Sequence, residues 1–397
     1  MAAASLSGNV AEMALVKNYV SDRGEQPVVN RRTFMKAMGA GTAVLGTTPV
    51  AHAGEKRITV GVITNSEGAH LDAYFSALAE TQEVKCVALA DPSGKTVSNA
   101  RKCLEEKLTA TYDSFEVMLD RDKPSMALVS LEARVAPTAI EAALKAGCHV
   151  LAEKPACVRI EDFAHLTELA ERKQRHLMLA LANRLNPEVR QARRLIQEGK
   201  IGRIYGLEMH LIADQTRLTR PAYHESWYAH KERAGGGHLI WLGIHWIDLA
   251  MFLTGSRITD VSGFCTVVGD QPLDVEDSAA LTFRFDNGTL GTLTSGYYLD
   301  KGYHSHIKIW GSRGWLQIEK HGGTPLIWYS QDAPKAQVHR LEKTEGPSGY
   351  FPWVRAGVRA AAGLDEPPLT SRESLRALES VFAGYRAAET GHRQTLK

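Results

Sequence analysis

His149-Val150-Leu151-Ala152-Glu153-Lys154-Pro155-Ala156 joins a short apolar run to a charged break that contains proline. The run reads as a strand, and the break falls at its carboxyl end, where open parallel sheets bind ligands. Residues 57–64 (RITVGVIT), 84–90 (VKCVALA) and 125–131 (SMALVSL) are β-rich runs of the same kind. Helical spacing occupies 71–80, 96–107 and 137–146 between them, and 161–175, 177–182 and 187–198 continue the alternation. Such a rhythm predicts a parallel sheet covered on both faces, wound doubly by right-handed crossovers. After residue 201 the character changes. Strand runs at 203–212, 261–268, 278–285, 290–298, 306–310 and 314–318 are punctuated by hairpin signals at Asp286-Asn287-Gly288 and Gly311–Gly314. Strong helices are expected at 239–253 and 371–390. The fold class is therefore α/β: an N-terminal Rossmann doubly wound parallel sheet, then a C-terminal α/β domain with an open, mostly antiparallel sheet.

The chain has 397 residues, more than one ordinary domain, and 44% of them are hydrophobic. A net charge of +2 gives no sign of a nucleic-acid partner or of membrane attraction. Five scattered cysteines without CxxC spacing read as buried apolar residues. Residues 30–36 (NRRTFMK) carry paired arginines, followed by a mild apolar stretch and Ala51-His52-Ala53. This predicts a twin-arginine export signal over 1–53, too short in its apolar part to span a membrane. Residues 54–182 then form the dinucleotide-binding domain and 183–397 the substrate and oligomerisation domain, with the last helix packing back on the body. The mature protein is expected in the periplasm or cell envelope, without membrane insertion.

A dinucleotide-binding turn wants Gly-x-Gly-x-x-Gly after the first strand. In that register this chain places Thr64, Ser66 and Ala69, with Asn65 beside them, and Glu67 sets a carboxylate next to the expected pyrophosphate. Asp91 ends the second strand, where an acid can bind a ribose 2′-hydroxyl and favour NAD over NADP. The alternative is a turn-initiating Asp before Pro92, with Ser93 and Lys95 able to meet a 2′-phosphate. Lys154 can hydrogen-bond a substrate hydroxyl and stabilise alkoxide as hydride leaves; the alternative is a surface lysine in a proline-containing loop. Further on, Gly235-Gly236-Gly237-His238 precedes an apolar helix on which Trp241, His245 and Asp248 fall on one face. A histidine there can take the hydroxyl proton; the alternative is a satisfied core histidine. Tyr223 and Trp227, among other aromatics, suit sugar stacking; the alternative is ordinary core and surface aromatics. The histidine density permits a metal, but no spacing is diagnostic and none is assigned.

In this order the motifs resemble the Gfo/Idh/MocA oxidoreductase family over about residues 57–390. AEKPA at 152–156 is the most specific element, supported by Asn183-Arg184-Leu185-Asn186-Pro187, Gly199-Lys200-Ile201-Gly202 and the GIHWID block at 243–248. The resemblance implies that Lys154 and His245 are the catalytic lysine and histidine, and that Glu153 and Lys154 flank the cofactor. It implies NAD or NADP, a small carbohydrate substrate and a homodimer or homotetramer. Export would require the cofactor to be tightly held. Tyr223, Trp227, His238, Trp241 and Asp248 are the candidate substrate contacts, and Asp248 reads more as a structural partner than as a catalyst. Three positions depart from the family pattern: the glycine turn, Glu132 to Val135 where Asn-x-x-His is usual, and Trp241 where Asp is frequent. Besides an oxidoreductase acting on a sugar, polyol or glycoside, the sequence leaves open NAD-assisted glycoside cleavage by oxidation and elimination, and a cofactor-less sugar-binding protein.

Overall fold

A computed structural model describes residues 56–396 except 322 and 333–336. The paired arginines and the small-x-small site lie outside the described residues. Six strands form the first sheet: β1 (Ile58–Thr64), β2 (Val84–Ala90), β3 (Leu108–Tyr112), β4 (Met126–Ser130), β5 (His149–Ala152) and β6 (Leu177–Leu179). All are parallel, in the order β3-β2-β1-β4-β5-β6. The order reverses between β1 and β4, the switch point at which ligands bind outside the carboxyl ends. Helices α1 (Leu71–Glu80), α2 (Val97–Leu104), α3 (Phe115–Asp122), α4 (Ala136–Lys145) and α5 (Ile160–Arg172) make the crossovers. Covered on both faces, β1 and β4 bury nearly every residue, which is why they read as continuous apolar runs without alternation. β3 and α3 escape the sequence reading. β3 (LTATY) is a half-exposed edge strand with no apolar run to announce it.

From α6 (Pro187–Gln197) the chain enters a nine-stranded sheet. Its strands are β7 (Ile204–Asp214), β8 (Ile258–Thr266), β9 (Ser278–Phe285), β10 (Leu290–Leu299), β11 (His304–Gly311), β12 (Gly314–Glu319), β13 (Leu326–Ser330), β14 (Val338–Leu341) and β15 (Gln394–Thr395). Pairing is antiparallel except between β7 and β10. On β7, Leu207, Met209, Leu211 and Ala213 are buried while their neighbours are not, the period-2 signature of a sheet with one open face. Short helices α7 (Pro221–Glu225) and α8 (Lys231–Ala234) lead to α9 (Ile244–Thr254), and α10 (Tyr350–Ala361) and α11 (Ser371–Thr390) follow the sheet.

Two further helices differ from expectation. The predicted helix at 239–253 opens instead with a π turn at Leu239–Gly243, a wide turn of the kind found at functional sites. α10 is missed because Pro352 and Gly357 interrupt its pattern. Pro352 sits in the first turn, where it is tolerated, and a Cβ at Gly357 would meet Leu151 Cδ1 at 3.1 Å. α11 matches its predicted bounds. It is fixed by a Thr370/Glu373 capping box, and it seals the exposed edge of β6: Ser371 and Ser374 Oγ accept the Leu177 and Leu179 amides at 3.1 and 3.2 Å.

Candidate active site

Lys154 follows β5 by two residues and is 2% exposed. Its Nζ donates to the Trp241 carbonyl at 2.7 Å and lies 3.1 Å from the centroid of the Trp241 ring. Trp241 is held there by the π turn, whose start is anchored on Glu276. The Gly237 and Leu239 amides and the Tyr385 hydroxyl donate to that carboxylate at 2.7, 2.9 and 2.9 Å. A Cβ on Gly237 would stand 1.9 Å from the Glu276 carbonyl oxygen, so the close approach requires glycine. His70 stacks on the indole at 6.1 Å, and Trp227 and Tyr228 meet it edge-on at 5.4 and 4.7 Å. Burial pushes the Lys154 ammonium down to about 7; Glu153 pulls it up, and Arg217 and Lys320 push it down further.

Glu153 is buried and fully engaged. It accepts from His70 Nδ1 at 3.0 Å, from the Tyr74 hydroxyl at 2.6 Å and from the Lys154 amide at 2.9 Å. Burial pushes its carboxyl up, but His70, Lys154 and Tyr74 outweigh it and hold it below the ordinary range. Its carboxylate orients the backbone that carries Lys154. His70, Tyr74 and Tyr350, whose hydroxyl stands 2.9 Å from His70 Nδ1, were not marked by any sequence motif.

His245 lies in the first turn of α9. Its Nδ1 is buried with no hydrogen-bond partner among the described residues. Loss of solvent, then the charges of Lys154, Lys320 and His70, hold it well below the ordinary histidine range. It is therefore a neutral imidazole at physiological pH, as a general base must be. His238 is placed on a different contact: Nδ1 meets Ser295 Oγ at 2.6 Å and the ring stands edge-on to Tyr297, which in turn packs against Tyr223. Its Nε2 also lacks a partner among the described residues, and burial, then Arg217, pushes it to about 3. Arg217 Nη2 donates to the Tyr303 hydroxyl at 2.9 Å, and Lys320 Nζ to Asn183 Oδ1 at 2.8 Å. These two cations near Lys154 had no sequence signal, since they come from loops beyond β7 and β12.

Three expected ligand contacts are corrected. Asp248 does not face a substrate. It is 1% exposed and receives Arg184 Nε and Nη2 at 2.9 and 2.7 Å, a buried ion pair between α9 and the 183–187 segment. Asp91 stands at the end of β2 as expected, but its carboxylate closes its own loop. One oxygen accepts from Ser93 N and Oγ, the other from Thr96 N and Oγ1. With four acceptor positions filled, it is a turn-forming acid. Trp227 is 1% exposed, packs against Tyr228 and Trp241, and donates Nε1 to the Glu67 carbonyl at 3.3 Å, so its ring is part of the packing.

The turn after β1 is built without the usual glycines. Asn65 Oδ1 accepts the Glu67 amide at 2.9 Å and Asn65 O the Gly68 amide at 3.1 Å, so the asparagine side chain stands in for a backbone turn. Thr64 Oγ1 donates to Ser130 O at 2.9 Å, tying the ends of β1 and β4, and Ala69 O accepts from Ser130 Oγ at 2.8 Å. Ser66 remains exposed. Beside the turn, Arg233 donates to Glu67 Oε2 at 2.9 Å and through Nε to Glu132 Oε2 at 2.9 Å. The guanidinium offsets the carboxylate that would otherwise face a pyrophosphate. At the other end, the unpartnered His245 Nδ1 and the spare donors of Lys154 suit a hydroxyl-bearing ligand. The residues thus fit a dinucleotide along the carboxyl edge, with the 64–69 turn and Arg233 at the pyrophosphate and Lys154 at the reacting end.

A profile described as an oxidoreductase family with an NAD-binding Rossmann fold matches residues 59–181, and one for the GFO/IDH/MocA C-terminal domain matches 189–317. The chain is 30% identical over 229 residues to an uncharacterized oxidoreductase, C115.03, of Schizosaccharomyces pombe, spanning 53% of this chain and 61% of that protein, under two thirds of its length. It is 27% identical over 344 residues to D-glucoside 3-dehydrogenase of Escherichia coli, covering 81% of this chain and 93% of the relative. The fold matches the WlbA dehydrogenase of Bordetella pertussis, solved with NADH and UDP-GlcNAcA, at a TM-score of 0.72 and 21% identity, over 86% of this chain and 99% of that one.

Proposed function

Because this chain belongs to the Gfo/Idh/MocA oxidoreductase family, whose N-terminal domain is an NAD-binding Rossmann fold, we propose that it oxidises a secondary hydroxyl of a sugar or glycoside in the cell envelope. The observation that carries this reading is the pairing of a buried Lys154, lowered to about 7, with a neutral His245 whose Nδ1 has no partner. Two groups with separated proton affinities at one ligand-binding edge are what proton removal coupled to hydride loss needs. NAD, when bound, supplies the hydride acceptor. His245 takes the hydroxyl proton. Lys154, in its charged form, donates to the same oxygen and stabilises the alkoxide that develops. Glu153 holds Lys154 in place through its backbone, and Trp241 excludes water from the ammonium.

The D-glucoside 3-dehydrogenase among the relatives supports a glycoside as the first substrate class to try. The test is incubation of the purified protein with NAD and a panel of glucosides and inositols, followed by near-ultraviolet absorbance of reduced nicotinamide. Turnover should appear with at least one glycoside and vanish in Lys154→Ala and His245→Ala. No reduction with any member, together with no NAD binding on titration, overturns the reading.

The envelope location rests on the paired arginines at 31 and 32. It is tested by fractionating cells that express the whole chain and a variant with Arg31→Lys and Arg32→Lys. Retention of wild type in the cytoplasm would contradict it. The open face of the nine-stranded sheet supports assembly as a homodimer or homotetramer, which sedimentation equilibrium would measure.

A further inference from the structure

We propose that Glu208, His210 and His306 form a binding site for a divalent transition-metal ion on the open face of the nine-stranded sheet. Glu208 and His210 are two residues apart on β7 and so share a face; the buried alternates Leu207, Met209 and Leu211 fix that face as the one away from the core. β11 runs antiparallel beside β7 and sets His306 directly opposite His210. One donor atom from each of the three side chains lies within 4.8 Å of the others. His306 Nε2 and Glu208 Oε1 are already 3.2 Å apart. Donors bound to a tetrahedral ion at the usual zinc distances stand about 3.3 Å from one another, so that edge is formed and only the His210 ring must swing inward. The two imidazoles stack at 4.6 Å and 18°.

The one cation opposite Glu208, Lys308, does not compete for it: its Nζ stands over the Trp310 and Trp315 rings at 5.4 and 5.5 Å. Two imidazoles and one carboxylate favour zinc and its neighbours over magnesium or calcium, which want oxygen donors. Three protein ligands leave a fourth position open. The site lies on the opposite side of the sheet from its buried face, and none of its ligands takes part in the Lys154 chemistry.

The experiment is equilibrium dialysis of the purified, chelator-treated full chain against Zn(II), with bound metal measured by elemental mass spectrometry, and a parallel Co(II) titration read by visible absorption. Wild type should bind one ion per chain at this site and give the intense absorption of low-symmetry cobalt. His210→Ala, His306→Gln and Glu208→Gln should each weaken binding by at least the roughly 10- to 100-fold that lesser, second-sphere changes cost. His392→Ala, on an exposed histidine elsewhere, should change nothing. The metal-free melting temperature of each variant shows that it is folded. Substoichiometric zinc in wild type, or an affinity unchanged in folded His306→Gln, overturns the proposal.

Discussion

One residue of the second domain meets the Lys154 ammonium twice: Trp241 gives it a carbonyl at 2.7 Å and a ring face at 3.1 Å. The lysine comes from the end of a Rossmann strand and the tryptophan from a π turn anchored on Glu276. The contact therefore couples the two sheets at the point where the reaction is placed. An apolar lid on an ammonium removes its water, which lowers its proton affinity, while the ring face and carbonyl favour its charged form. Burial is the larger effect, and the group ends near neutrality.

Sugar oxidation should therefore fall as pH rises through about 7, as Lys154 loses the proton that stabilises the alkoxide. On the acid side the rate should hold to well below the ordinary histidine value, because His245 stays neutral there. Lys154→Arg, charged at every accessible pH, should abolish the alkaline fall while lowering kcat by roughly 10²- to 10⁴-fold. A pH profile of kcat/KM for both proteins checks this; an alkaline limb that survives in Lys154→Arg would assign it to another group.

Trp241→Ala readmits water to Lys154 and should move the alkaline limb to higher pH, toward the ordinary lysine value. Loss of the ring contact should also cost about 0.5–2 kcal/mol of stability. The pH profile and a urea melt of the same variant measure both effects. A limb that moves to lower pH would mean that the ring's attraction for the cation outweighs its exclusion of water.

Stability carries its own pH signature. Between about 7 and the ordinary lysine value the unfolded chain holds the Lys154 proton and the folded chain does not, so stability should rise with pH across that window. Denaturant melts across it should show a shallower rise in Lys154→Met. An unchanged slope would place the perturbed group elsewhere.

Glu67 and Glu132 share Arg233 beside the 64–69 turn. Glu67→Gln should tighten NAD binding a few-fold by removing a charge near the pyrophosphate. Arg233→Met, which leaves both carboxylates uncompensated, should weaken it by tenfold or more, and added salt should partly restore it. Calorimetric titration with NAD reads both. Equal affinities in the two variants would mean that this bridge lies off the cofactor path.

Much of the fold was open to sequence reading because its signals are local. The parallel strands β1, β2, β4 and β5 are apolar runs, and α11 carries its own cap. Lys154 stood out because a charged Glu-Lys-Pro break follows a buried strand. What escaped depends on partners distant in the chain. Arg233 meets Glu67 and Glu132 across 166 and 101 residues, and His70 meets Glu153 across 83. Asp248 shares a helix face with His245 in projection, yet the buried charge of Arg184, 64 residues earlier, claims it. Asp91 had two readings, and the four bonds within its own loop select the turn.

That reassignment is testable by stability alone. Asp248→Ala leaves Arg184 buried with only Glu373, at 2.7 Å, as ionic partner and should cost about 3–5 kcal/mol in a urea melt. Asp248→Asn should cost less, because it keeps one acceptor. A loss below 1 kcal/mol for the alanine variant would contradict a structural role.

The central claim is that hydride leaves a sugar carbon under the joint control of Lys154 and His245. Incubation with NAD and glycosides deuterated at their ring carbons, followed by mass spectrometry of the nicotinamide, tests it most directly. The account predicts deuterium on reduced nicotinamide in wild type and none in Lys154→Ala or His245→Ala. Unlabelled nicotinamide in wild type with every glycoside and inositol offered, or equal labelling in the two variants, would contradict it.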